Sequence, residues 1–80
     1  MSDVELFGRR LATLRRCAGL TQNDVAVACN VTVQAVSKWE CGRSCPDILM
    51  LEDIAAVLGV PIQELFAHDA EKNILKDDLC

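Results

Sequence analysis

The residues of this chain best suited to chemistry lie between Leu20 and Arg43, in LTQNDVAVACNVTVQAVSKWECGR. Within it, Val33-Gln34 and Ser37-Lys38 recur four residues apart, which puts them on one side of a short helix. Their chemistry is hydrogen bonding rather than bond making. A glutamine amide matches the N6 and N7 edge of adenine, and a lysine suits a phosphate. Val36 and Trp39 fall on the opposite side and can anchor the helix from behind. Ala26, one helix earlier, is small enough to permit close approach. Taken singly, Gln34 is an ordinary exposed helix residue and Lys38 an unremarkable surface lysine. A helix that enters a nucleic-acid groove needs such an outer face of donors and such an anchor behind it.

No catalytic constellation competes with that reading. His68 is the single histidine and no nucleophile motif accompanies it, so no enzyme is expected. Cys17, Cys29, Cys41, Cys45 and Cys80 are many for the length. The opening MSDVELFG carries two acids and no basic stretch, so it does not read as an export signal, and the thiols are expected reduced. Cys41 and Cys45 form the one close pair, at a spacing foreign to zinc fingers. No metal and no cofactor are expected. Cys29 reads as a small apolar core residue. Redox sensing in the Cys41/Cys45 loop is the one alternative to inert thiols.

Bulk properties set the frame for these residues. Eighty residues make one small domain on a single core. With Phe7, Trp39 and Phe66 as the aromatics, the core must come from Leu, Ile, Val and Ala at helical spacing. No apolar run approaches the ~18 residues of a membrane span, and a cytoplasmic location is expected. The net charge of −4 speaks against DNA only until it is divided. Residues 1–43 hold six bases against four acids, or +2, while residues 44–80 hold two against eight, or −6. One half can attract phosphates while the other keeps the chain soluble.

The first helix is expected from Val4 to Cys17, with Phe7, Leu11 and Leu14 on its inner face and Arg9, Arg10 and Arg16 solvated. Gly19 suits the left-handed residue beyond its end. Thr21 and Asp24 form a capping pair for a second helix, Gln22 to Cys29, with Val25, Ala26 and Cys29 inward. Asn30 tolerates the turn, and Thr32 caps a third helix, Val33 to Glu40, ended by Gly42. Ser44-Cys-Pro-Asp47 breaks the chain and caps a fourth, Ile48 to Leu58. Its core face is expected to be Ile48, Leu51, Ala55 and Leu58. Met50, Ile54 and Val57 widen the apolar stripe to one side, which reads as a partner surface. Gly59 stops the helix, and Pro61 opens a short fifth helix through Phe66. Residues 67–80 form a tail, helical or frayed, with a weak stripe of Ile74, Leu75 and Leu79.

Several motifs now agree in order: Leu11-x-x-Leu14-Arg15, Gly19-Leu-Thr-Gln22, Val25-Ala26, the run Val31 to Glu40 ending VSKWE, Gly42, Pro46, and Leu58-Gly-Val-x-x-x-Glu64-Leu65. Across residues 7–66 the set resembles the helix-turn-helix regulators of the Cro and phage-repressor type, the XRE family. The resemblance implies an all-α fold, a compact five-helix bundle of the lambda-repressor-like kind spanning residues 4–66. Its second and third helices would be the DNA-binding unit. It implies that Gln22 binds a phosphate and braces Gln34. Thr32, Val33, Gln34, Ser37 and Lys38 would reach bases or phosphates, and Arg43 and Ser44 would follow the DNA backbone. Arg15 and Glu40 would pair as a partly buried salt bridge. Members often dimerise through the end of helix four and helix five, here Val57, Pro61 and Phe66. Two positions depart from the pattern: Cys41 stands where Asn is frequent, and Pro61 where a Ser cap is frequent.

The implied function is sequence-specific binding of double-stranded DNA by a homodimer on a pseudo-palindromic operator, as a transcriptional regulator and more often a repressor. Two alternatives belong to other classes: the antitoxin of a toxin–antitoxin pair, and a protein-interaction module derived from the same fold.

Overall fold

The computed structural model describes residues 2–66. The expected tail from residue 67, with its Ile74, Leu75 and Leu79 stripe, lies outside the described residues. The elements are α1 (Asp3–Cys17), α2 (Gln22–Cys29), α3 (Val33–Glu40), α4 (Ile48–Leu58) and a 3₁₀ helix (Ile62–Phe66).

Local chemistry sets these boundaries. Three of the four α-helices, α2, α3 and α4, have the expected bounds. α1 begins one residue earlier than the apolar spacing suggests, because Ser2 caps it. The Ser2 hydroxyl accepts from the Glu5 N–H at 3.2 Å, and the Glu5 carboxylate accepts from the Ser2 N–H at 2.9 Å. Thr21 and Asp24 make the same reciprocal pair on α2, at 3.0 and 2.8 Å. Thr32 accepts from Ala35 N–H at 3.1 Å on α3, and Asp47 from Met50 N–H at 2.8 Å on α4. Asn30 closes α2 in the left-handed region, with φ of 57°.

The fifth element is not an α-helix. Its five residues are too few to close a useful α ladder, and it winds more tightly. The Glu64 N–H donates to the Pro61 carbonyl three residues back, at 2.9 Å. The all-α class stands, with four α-helices and this 3₁₀ turn among the described residues.

α1 lies on α3, α2 on α3 and α4, and the 3₁₀ helix closes the bundle against α1 and α4. Leu11, Val25, Val36, Ile54 and Leu65 are fully buried at the centre. Phe7, Ala26, Cys29, Trp39, Ala55 and Leu58 complete the core. The approach of α1 to α3 depends on Gly8. A Cβ there would sit 2.4 Å from the Trp39 carbonyl oxygen and 2.7 Å from that of Glu40. Any side chain at this point would push the two helices apart.

Two expectations about α4 fail. Ile48, assigned to the core, is 74% exposed, while Ile54, assigned to a lateral surface, is 0% exposed. Ile48 shares a helical face with Ala55, but it is the first residue of α4 and stays exposed there. Met50, Leu51 and Val57 are half-buried against the core. Arg10, expected to be solvated, is a clamp on the end of the fold. Its guanidinium donates to the Glu64 carbonyl oxygen at 3.0 Å and to the Glu64 carboxylate at 2.9 Å.

Candidate nucleic-acid interface

α3 is eight residues long and has two unlike sides. Val36 and Trp39 are buried, which fixes the helix from behind. Thr32, Gln34 and Lys38 are exposed on the other side, with Val33 and Ser37 half-buried between them. Val33 and Ala35 also pack on the core, so the helix cannot rock on its two anchors alone. Ala26, nearly fully buried in α2, lies in the same cluster as Val36. The Val31 N–H donates to the Ala26 carbonyl at 2.9 Å, which ties the turn between the helices to the end of α2.

The segment after α3 is held tightly by its backbone. Gly42 takes a left-handed φ of 76°, and a Cβ there would meet the Glu5 side chain at 2.7 Å. Only glycine satisfies both the backbone and the close approach of α1. The Arg43 N–H then returns to the Lys38 carbonyl at 2.9 Å. Arg43 is exposed and Ser44 half-buried, so the arginine projects from a pinned backbone. Pro46, which sequence reasoning left without a role beyond breaking the chain, is buried and roots the loop.

Arg15 and Glu40 come together as a fork. Arg15 Nε donates to Glu40 Oε2 at 2.6 Å and Nη2 to Oε1 at 3.2 Å. The side chains are 13% and 7% exposed, so the pair is largely desolvated. Arg15 Nη1 also donates to the Leu20 carbonyl at 2.8 Å, fastening the α1–α2 loop. The amide of Gln22, for which the resemblance implies a phosphate contact and a brace for Gln34, lies against Glu40. Its Nε2 donates to Glu40 Oε1 at 2.9 Å. The residue spacing gave no signal for this third member, because α2 and α3 meet only in the folded bundle.

The expected dimer residues lie close in sequence but differ in environment. Val57 is half-buried, Pro61 exposed and Phe66 43% exposed. Phe66 is also stacked on Phe7, with ring centroids 5.9 Å apart.

Two carboxylates have their pKa lowered by the caps they serve. The backbone N–H of Thr21, then its side chain, lowers Asp24, and Ser2 does the same for Glu5. Burial, then the charge of Asp53, raises the Cys29 thiol, which keeps it protonated and apolar. Cys29, Cys41 and Cys45 are free thiols. Cys17 is disulfide-bonded, which departs from the expectation of reduced cysteines throughout. Among the described residues no three acidic, histidine or cysteine side chains gather as metal ligands would. Among the described residues no helix is long and apolar enough to cross a membrane.

The fold and this two-sided unit define a helix-turn-helix DNA-binding domain. The helix-turn-helix family model matches residues 11–65, and the chain belongs to that family, of the XRE type. It is similar to the uncharacterized HTH-type transcriptional regulator YazB of Bacillus subtilis, at 32% identity over 63 residues, covering 79% of this chain and 91% of that protein. It is also similar to the 26 kDa repressor protein of Escherichia phage HK022, at 37% identity, covering 96% of this chain but 34% of that protein. Among solved structures it resembles the restriction-modification controller protein C.AhdI of Aeromonas hydrophila. That match has a TM-score of 0.78 at 29% identity and covers 82% of this chain and 100% of that one. The chain is a DNA-binding transcriptional regulator. Its family is one of regulators, not an enzyme class.

Proposed function

We propose that this protein is a homodimeric transcriptional repressor that reads a pseudo-palindromic operator with α3 in the major groove. The observation that carries the reading is the two-sidedness of α3: Val36 and Trp39 buried, Thr32, Gln34 and Lys38 exposed. Gln34 reads a base edge and Val33, Thr32, Ser37 and Lys38 contact bases or phosphates beside it. Gln22 binds a phosphate at the start of α2, and Arg43 and Ser44 follow the backbone beyond α3. Residues 4–66 are the DNA-binding domain, working in the cytoplasm. Dimerisation involves Val57, Pro61 and Phe66, and a two-fold axis sets the half-sites about one turn, ~34 Å, apart. The repressor role is supported by the likeness to a phage repressor.

Selection of bound duplexes from a random DNA library tests the reading and yields the operator. Gln34→Ala is expected to cost about 1–3 kcal/mol of binding and to relax preference at one base position. Arg43→Ala should weaken all sequences alike and flatten the salt dependence. If Gln34→Ala changed neither affinity nor preference, α3 would not be the reading helix. Val57→Asp should shift the sedimenting species to a monomer and weaken operator binding. A reporter under the selected operator should fall when the protein is present; a rise would reverse the sign of regulation.

A further inference from the structure

The carboxylate of Glu40 has two partners, and they lie on different sides of the protein's function. One is Arg15, which holds it through Nε at 2.6 Å and Nη2 at 3.2 Å. The other is Gln22, the first residue of α2, whose Nε2 donates to Oε1 at 2.9 Å. Glu40 is only 7% exposed at its side chain, so water competes little for these bonds.

An ionised carboxylate can only accept, so the Gln22 amide must present its NH₂ edge to it. That choice follows from the chemistry of the partner, not from the shape of the amide, whose two ends are alike in size. With the nitrogen turned to Glu40, one N–H is used there. The second N–H and the carbonyl oxygen remain available on a half-buried side chain at the start of α2. We propose that Glu40 is a positioning residue for DNA binding. It holds the Gln22 amide in the orientation that offers a fixed N–H to a phosphate, and Arg15 holds Glu40 in place and cancels its charge. The proposal rests on the phosphate role assigned above to Gln22. Its physical content is preorganisation. An amide already fixed loses little freedom on binding, whereas a free one must be ordered at that moment and can present its carbonyl to the phosphate instead.

The test is a double-mutant cycle in affinity for the duplex that the unaltered protein selects from a random library. Gln22→Ala is made in the unaltered chain and in an Arg15→Met/Glu40→Met background. An apolar exchange of both partners leaves no unpaired buried charge, which favours a folded background. A second background, Glu40→Asp, keeps the charge for Arg15 but withdraws the carboxylate from Gln22. Circular dichroism selects the backgrounds that are folded at the assay temperature.

Gln22→Ala is expected to weaken binding about tenfold in the unaltered chain, as loss of one hydrogen bond to a charged group would. The same change should cost less than about twofold where Glu40 is gone or withdrawn, by the same reasoning. The salt slope should stay unchanged, because a neutral amide displaces no counterion. Gln34→Ala is the control and should cost the same in every background, which a general loosening of the fold would not allow. Equal tenfold losses for Gln22→Ala in all backgrounds would overturn the positioning role while leaving the phosphate contact intact. No loss in the unaltered chain would remove both.

Discussion

α3 and α4 stand side by side in sequence and both seat one face on the core, yet they turn opposite chemistries outward. α3 buries Val36 and Trp39 and shows Thr32, Gln34 and Lys38. α4 buries Ile54, Ala55 and Leu58 and exposes Ile48 and Leu49 at its first turn. In α3 the outward residues are polar, so sequence pattern and exposure agree. In α4 nearly every position is apolar, and the pattern cannot say which face the core takes. The comparison teaches that periodicity locates a buried face only where the opposite face is polar.

The sharpest way to break this comparison lies inside α4 itself. Ile54→Ala should lower stability by about 2–5 kcal/mol, because it opens a cavity at a fully buried site. Ile48→Ala should stay within about 0.5 kcal/mol, since an exposed side chain leaves no cavity. Urea unfolding of both variants measures the contrast, and equal costs would mean that the two isoleucines are wrongly placed.

A second contrast separates Arg15–Glu40 from Arg10–Glu64, two ion pairs that α1 makes. Glu40→Ala should cost about 3 kcal/mol, because Arg15 would be left desolvated without its carboxylate. Glu64→Ala should cost about 1 kcal/mol or less. Glu64 is half-exposed, and Arg10 keeps its bond to the Glu64 backbone carbonyl, which the substitution does not remove. Thermal melts of the two variants read the difference; a larger loss at Glu64 would make the 3₁₀ clamp, not the α3 end, the main tie.

At the turn between α2 and α3, Asn30 holds a left-handed φ of 57°. Asn30→Ala should destabilise by about 1 kcal/mol, the cost of a Cβ in that region without a short polar side chain to ease it. Asn30→Gly should be close to neutral. The pair separates a backbone demand from any side-chain contact, and equal losses would point to the latter.

The smallest expected effect is a pH dependence. Asp24 has a folded pKa below its ordinary value because it accepts from Thr21. Its contribution is therefore present above the unfolded carboxylate range, about 4. It is lost as pH falls through the lowered folded value. Glu5, lowered by Ser2, acts in the same direction. Chemical denaturation at several pH values should show stability declining below that range. Asp24→Asn should make the decline shallower, and an unchanged slope would show that the α2 cap carries no linked proton.

Much of the fold and of the candidate surface was legible because it is encoded locally. Caps and stops act through neighbours three or four residues away, so Thr21, Thr32 and Asp47 announce α2, α3 and α4, and Asn30, Gly42 and Gly59 close them. The outer face of α3 was legible for the same reason, since its polar and apolar residues alternate at helical spacing. The motif order added the Arg15–Glu40 pair, which no local rule supplies.

What only the tertiary structure decided depends on where the elements meet. It buried Ile54 rather than Ile48, a choice that the nearly all-apolar pattern of α4 leaves open. It turned Arg10 from a surface charge into a clamp, because the chain returns to lay Glu64 beside it. It made Gly8 a contact residue only because α1 crosses the end of α3 there. It also brought Gln22 to Glu40 across eighteen residues of sequence. Sequence determines what each residue can do within its own few turns; which distant residue it does it with is set by packing.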